Sequence, residues 1–311
     1  MSRSPDKKFY IYVILSFISV TLAAPHALIL KLATNAGIDN FSFIAIRALL
    51  VLLICAPFLI RSRQKLAKNW KLILLSNIFI GIASISHIAG VRVAPASYTS
   101  VIGMFSPIIF LIISAAFIKE RMSLNKIFGI AIAFVGAAIM FALPLLLDSH
   151  NLQIYPESII FNFINITAFA FTMVIYRKIY ARGVPIVTTM GSSWFLVFIV
   201  ATILSLTTNS DIAAPISIMI NNPIIIFCAF YSSIMVEIVS HGVRTHVYKK
   251  VGAFVISAAS FFGKVLGVIL PLIILRESLS IHVIIGAIVT LVGIAIIDKK
   301  PKDARKNLQA A

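Results

Sequence analysis

Lys264 stands alone as a charge near the middle of Val251–Leu275, an apolar stretch long enough to cross a bilayer. An ammonium in hydrocarbon costs on the order of 3 kcal/mol on insertion scales, so such a residue is expected to have a partner or a ligand. Glu237 is the first candidate, as the only acid well inside an apolar run. Counted from one face of the bilayer, Glu237 lies about ten residues deep and Lys264 about thirteen, roughly 15 and 20 Å at ~1.5 Å per residue. A Glu237–Lys264 pair would either pin two helices together or be opened by a solute or proton competing for one partner. In the second case Lys264 binds an anionic group of the solute, and Glu237 holds Lys264 or a substrate ammonium. His26, beside Pro25, assists binding or exchanges a proton, so Glu237 and His26 are the proton-coupling candidates.

Other residues of the right type fall near that pair. Tyr98, Phe105, Ser260 and Phe261 are expected to contact substrate together with Lys264, Glu237 and His26. Arg47 reads as structural, snorkelling outward or pairing with Asp39. His87 and Arg92 at one end of a span, and His241, Arg244 and His246 at the end of another, read as vestibule or boundary groups. No glycine-rich phosphate loop, nucleophile–His–Asp set or metal-ligand spacing occurs, so neither an enzyme, a catalytic residue, a cofactor nor a bound metal is expected. Cys55 and Cys228 both lie inside apolar runs and give no disulfide framework.

Charges at that depth need a membrane scaffold, and composition supplies one. The 311 residues are 60% hydrophobic and 12% charged, with a mean hydropathy of +1.04, which marks a polytopic membrane protein. Apolar runs between charged or Pro/Gly/Asn-rich breaks predict ten spans, at about 9–33, 41–60, 71–91, 97–118, 126–147, 156–178, 186–207, 222–247, 251–275 and 281–297. The first run, Phe9–Leu32, is too long for a signal-peptide core and reads as a span.

The net charge of +17 reads as topology and not as nucleic-acid binding. All but five of the 27 Lys and Arg residues fall in the N-terminus, the segments 61–71, 119–126, 177–182 and 244–250, or the tail 299–306. Those segments are alternate connections and mark the cytoplasmic side. The expected protein is therefore multi-pass in a cell's inner (plasma) membrane, with both termini cytoplasmic. Its partners are a small-molecule substrate and the lipid bilayer. The oligomeric state stays open, a monomer included.

Internal repetition is the strongest large-scale signal. Lys119–Ile139 aligns without gaps on Arg276–Ile296, superposing Glu120 on Glu277, Ser123 on Ser280, Gly129 on Gly286 and Gly136 on Gly293. The offset is about half the chain, and an odd number of spans separates the copies. Two five-helix halves, 1–150 and 151–311, would therefore have opposite orientation. The expected fold is all-α, with ten transmembrane helices as two inverted five-helix repeats. The glycines read as sites of close helix packing. The same offset sets Lys264 opposite Pro107, Arg244 opposite His87 and Glu237 opposite Ile80.

At these residues the chain resembles the drug/metabolite transporter superfamily, in its ten-helix EamA-type branch. The resemblance rests on Lys31, Arg47, the run Ala94-Pro95-Ala96-Ser97, Pro107 and the glutamates after the fourth and ninth spans. It covers about residues 9–297 and implies a carrier whose central cavity is lined mainly by spans 1, 3, 4, 6, 8 and 9. It names no solute. Taken with Lys264 and Glu237, it implies a secondary carrier working by alternating access on an amino acid or related carboxylate-bearing solute. Two alternatives remain at this stage. One is an exporter of cationic or aromatic compounds, with Glu237 as the key residue; the other is a non-transporting membrane receptor or scaffold.

Overall fold

The structure is a computed structural model that describes residues 7–118, 124–142, 154–208 and 214–297, among which every regular element is helical. Glu120, the expected boundary at 150/151, the basic tail and the side chains of Pro107, Ser257 and Phe261 lie outside the described residues.

The chain begins with α1 (Lys7–Ala23) and α2 (His26–Asn35), parted at Ala24-Pro25. Proline has no N–H to continue the ladder, and the Tyr231 hydroxyl donates to the Leu22 carbonyl at 2.9 Å beside the break. The Asp39 carboxylate accepts from the Phe41 and Ser42 amides and so starts α3 (Asn40–Arg61). A short α4 (Arg63–Lys68) leads to α5 (Trp70–Arg92). Next come α6 (Ala96–Ile102), a 3-10 turn at Gly103–Phe105 and α7 (Ser106–Ile118). Helix α8 (Leu124–Ala137) runs into a π-helical turn at Ala138–Ala142.

The second part holds α9 (Pro156–Ala181), α10 (Ile186–Thr208), a short α11 (Ala214–Asn221) and α12 (Pro223–Phe230). Pro156 and Pro223 open their helices, where the missing N–H costs nothing. A π-helical segment, Tyr231–Ser240, follows, and then α13 (His241–Ile274) and α14 (Ile281–Ile297).

Among the described residues, six helices are long and apolar enough to cross a membrane: Tyr10–Asn35, Asn40–Arg61, Trp70–Arg92, Pro156–Ala181, Ile186–Thr207 and Pro223–Arg244. Four shorter apolar helices accompany them, at Ala96–Phe110, Ile127–Met140, Phe262–Ile274 and Ile281–Ile296. The expected break between the eighth and ninth spans is not a loop, since helical geometry continues through His241–Ile274. The chain nonetheless reverses there. Arg244 Nη2 donates to Ser260 Oγ at 2.9 Å, whereas sixteen residues of straight helix would separate them by about 24 Å.

Within a membrane, helices associate through close packing of small residues and through polar bonds between them. The pairs α3·α10, α5·α9, α8·α14 and α1·α13 are the main contacts. Ser42 and Ser205 hydroxyls lie 2.6 Å apart between α3 and α10. Between α5 and α9, Ser158 donates to the Gly90 carbonyl at 3.0 Å and Asn165 to that of Ala83 at 2.8 Å. At the α8·α14 crossing a Cβ on Gly136 would strike Gly286, and one on Gly293 would strike Gly129 and Ala133. The glycines thus pack the helices, as their spacing suggests. On the outside, Ile60, Ile273 and Phe128 expose 71%, 69% and 64% of their surface. Apolar exposure on that scale is stable against lipid, not water.

Candidate functional site

Glu237 lies on the π-helical segment, a backbone form that is rare and frequently found at functional sites. Its carboxylate is 4% exposed and is held from two sides. Trp194 of α10 donates its indole N–H to Oε1 at 3.1 Å, and His241 Nδ1 stands 3.4 Å from Oε2. The Trp194 ring in turn carries the Arg47 guanidinium, 5.4 Å from its centroid, with the Phe43 ring 6.0 Å away. Arg47 is 3% exposed and electrostatically coupled to Glu237. It neither snorkels nor needs Asp39, whose carboxylate caps α3. The cation–π contact and the nearby carboxylate make burial of the guanidinium tolerable.

The His26 and His87 rings face one another with centroids 5.1 Å apart. His26 Nε2, His87 Nδ1 and Arg47 Nε are buried and have no hydrogen-bond partner among the described residues. A buried polar atom left unpaired costs on the order of 1–3 kcal/mol. Three in one region therefore suggest that something else pairs with them. His26 also lies within electrostatic reach of Arg47, His241 and Lys264, so α2, α3, α5, α13 and the π-helical segment converge here.

Lys264 does not pair with Glu237. Among the described residues no hydrogen bond or ion pair to its ammonium is formed, and its charged neighbour is another cation, Arg244. Gly103, in the 3-10 turn, makes room for the ammonium: a Cβ there would lie 3.2 Å from Nζ. Gly263 and Gly267, on either side of Lys264 in α13, let that helix lie against Val20 and Ala24 of the first span.

The remaining candidates divide. Ser260 accepts from Arg244 and belongs with Lys264. Tyr98 and Phe105, 2% and 1% exposed, sit in the apolar core that α6 and the 3-10 turn share with α9 and α14. Their rings pack on Tyr155 and Phe163, at centroid distances of 5.1 and 5.7 Å. The side chain of Phe261 is outside the described residues.

A second charged cluster occupies the α5–α6 junction. The Lys31 ammonium donates to the carbonyls of Val91, Arg92 and Ala94 at 3.0, 3.2 and 2.9 Å. Opposite, the Glu277 carboxylate accepts from the amides of Ala96 and Ser97, each at 2.8 Å, and from the Ser97 hydroxyl at 2.7 Å. Arg276, in the left-handed region at φ 53°, turns the chain sharply between α13 and Glu277. Lys31 caps carbonyls at the end of one helix while Glu277 caps amides at the start of the next.

Sequence reasoning placed Glu237 and Lys264 in the interior but gave them the wrong partners. Trp194 is 43 residues from Glu237 in the chain, and no spacing rule links them. Gly103 offered a faint signal, as a glycine four residues before Pro107 inside an apolar run.

Residues 10–142 match the EamA-like transporter family. A solved crystal structure of a protein 15% identical to this chain resembles it with a TM-score of 0.60, over 92% of this chain and 97% of that one. At that identity the likeness shows the fold alone. No curated protein matches the sequence. A largely apolar chain of packed spans, with a charged interior and this family match, is a membrane transporter in kind. The match to the EamA-like transporter family spans residues 10–142 and is consistent with the drug/metabolite transporter superfamily.

Proposed function

We propose that the protein is a secondary carrier of the inner (plasma) membrane that moves a small carboxylate-bearing metabolite, such as an amino acid or a related acid, by alternating access. Lys264 is the residue that binds the solute's anionic group. The observation that carries this reading is a half-buried ammonium with no counter-charge among the described residues, beside a glycine that leaves it space. A lysine used only as structural glue would have its acid in place, as Lys31 and Glu277 have their backbone partners.

The ten-span, inverted-repeat architecture, with halves 1–150 and 151–311 and both termini cytoplasmic, is part of the same proposal. Six long and four shorter apolar helices support the span count. The α8·α14 crossing supports the repeat. The half-chain offset exchanges Gly136 with Gly293 and Gly129 with Gly286, and Thr290 Oγ1 reaches the carbonyl of Ala133, its partner under the 157-residue offset, at 3.5 Å. Pro25, the 3-10 turn and the π-helical segment are the points where the helices can bend between inward- and outward-open forms.

Export of cations is the weaker reading, because Glu237, the acid that would attract them, is already held by Trp194 and His241. Uptake into proteoliposomes tests the choice. Lys264→Ala is expected to lower transport of an anionic solute by about 100-fold, and Lys264→Arg to retain part of it. Unchanged rates and solute preference in both Lys264→Ala and Glu237→Gln would make these residues structural. Proton coupling through Glu237 and His26 predicts that an imposed pH gradient alters the flux, and a flux indifferent to that gradient removes the coupling role.

A further inference from the structure

We infer that the transported solute is a dianion: Lys264 meets one negative group, and Arg244 with Ser260 beside it holds the second. The inference rests on the anion-carrier reading above and narrows it.

Arg244 arrives from the end of the eighth span, and its Nη2 donates to Ser260 Oγ at 2.9 Å, with Ser260 7% exposed. Lys264 follows Ser260 by four residues on α13, so the two share one helix face, about 5–6 Å apart at Cβ. Arg244 and Lys264 are electrostatic neighbours of like sign. Like charges brought together away from bulk water repel strongly unless a negative group lies between them.

No described acid does so. Glu237 is taken by Trp194 and His241, Glu277 caps α6, and Asp39 caps α3. Of the charged side chains gathered here, buried Arg47 and buried Glu237 offset one another, while Arg244 and Lys264, both half-buried, add two positive charges with no acid of their own among the described residues. A zwitterion would leave that surplus untouched and a monoanion would halve it, whereas a dianion cancels it. The guanidinium suits such a group, since it offers donors in a planar fork while the ammonium acts as a point charge. Dicarboxylates and phosphate monoesters both meet the requirement.

The test uses the purified full-length protein and four probes: glutarate, its monoamide glutaramate, propyl phosphate, and tetramethylammonium as the cation. Apparent affinities come from ligand-dependent shifts of the melting temperature, with uptake into proteoliposomes as the second readout. Glutarate or propyl phosphate is expected to bind at least about tenfold more tightly than glutaramate, and the tighter of the two identifies the dianion class. Arg244→Gln should abolish this preference, and Arg244→Lys should keep part of it. Equal binding of glutarate, propyl phosphate and glutaramate by the unaltered protein overturns the inference, a result that needs no variant to fold. An equal loss of all three anions in Arg244→Gln overturns it too. In both cases the anion-carrier reading survives. That reading itself fails if tetramethylammonium binds and none of the anions does.

Discussion

At the α5–α6 junction, Lys31 donates to three carbonyls and the Glu277 carboxylate accepts three hydrogen bonds. In the interior, Lys264 has no such partner among the described residues, and Arg47 Nε, His26 Nε2 and His87 Nδ1 go unpaired. The residue types are alike, but their satisfaction is not. Charges whose hydrogen bonds are complete hold two helix ends in register and gain nothing by admitting a solute. Charges left incomplete lower the stability of the empty protein, and a ligand that completes them recovers that free energy as binding. On this contrast the junction is a clamp and the interior is the binding region. Substitutions in the two should separate stability from solute handling.

The largest effect on stability is expected at the clamp. Glu277→Ala removes acceptors from two helix-start amides and a hydroxyl and leaves Lys31 without its nearby acid, costing about 3 kcal/mol or more. Denaturation of the purified protein should register that loss while the order of preference among solutes stays as it was. A change in solute preference at wild-type stability would erase the contrast. Trp194→Phe comes next. It keeps an aromatic ring beneath Arg47 but removes the N–H that reaches buried Glu237, a bond to a charged group worth about 1.5–3 kcal/mol. Its melting temperature should fall less than that of Glu277→Ala, and transport should fall with it, since the Glu237 carboxylate is then left with His241 alone.

Much of this scaffold is visible in the sequence, because a spanning helix needs an apolar run and charged ends and little else. The runs 41–60, 71–91 and 186–207 become Asn40–Arg61, Trp70–Arg92 and Ile186–Thr208, shifted by one residue at most at either end. The glycines at 136, 286 and 293 were legible for the same reason, as small residues at helical spacing. The partners of Glu237 were not. Depth along two sequence-adjacent helices suggested Lys264, but pairing depends on rotation about each helix axis, and the π-helical segment changes that rotation across Tyr231–Ser240. Apolar periodicity carries no mark of a π-helical register, so a residue on α10, remote in the chain, takes the place that Lys264 was expected to fill. The continuous helical geometry across the turn between Arg244 and Ser260 was hidden likewise, because basic residues at 244–250 read equally well as a loop.

Gly103→Ala gives the smallest and most selective test. The added methyl would stand 3.2 Å from Lys264 Nζ, tighter than ordinary contact, but the atom it meets is the tip of a flexible side chain that can retreat by a few tenths of an ångström. The fold should therefore change by no more than about 0.5 kcal/mol, in line with substitutions that touch no packed neighbour. The 3-10 turn at Gly103–Phe105 can even gain from replacing a glycine, whose backbone is the more flexible in the unfolded chain. Displacing the ammonium withdraws it from the position where an anionic group would meet it. Apparent affinity for the anion should then fall by about three- to tenfold at nearly constant melting temperature of the unliganded protein. Matched losses in stability and affinity would mean that Gly103 serves the packing of α6 against α13, and Lys264 would then lose its claim to a place kept open for a solute.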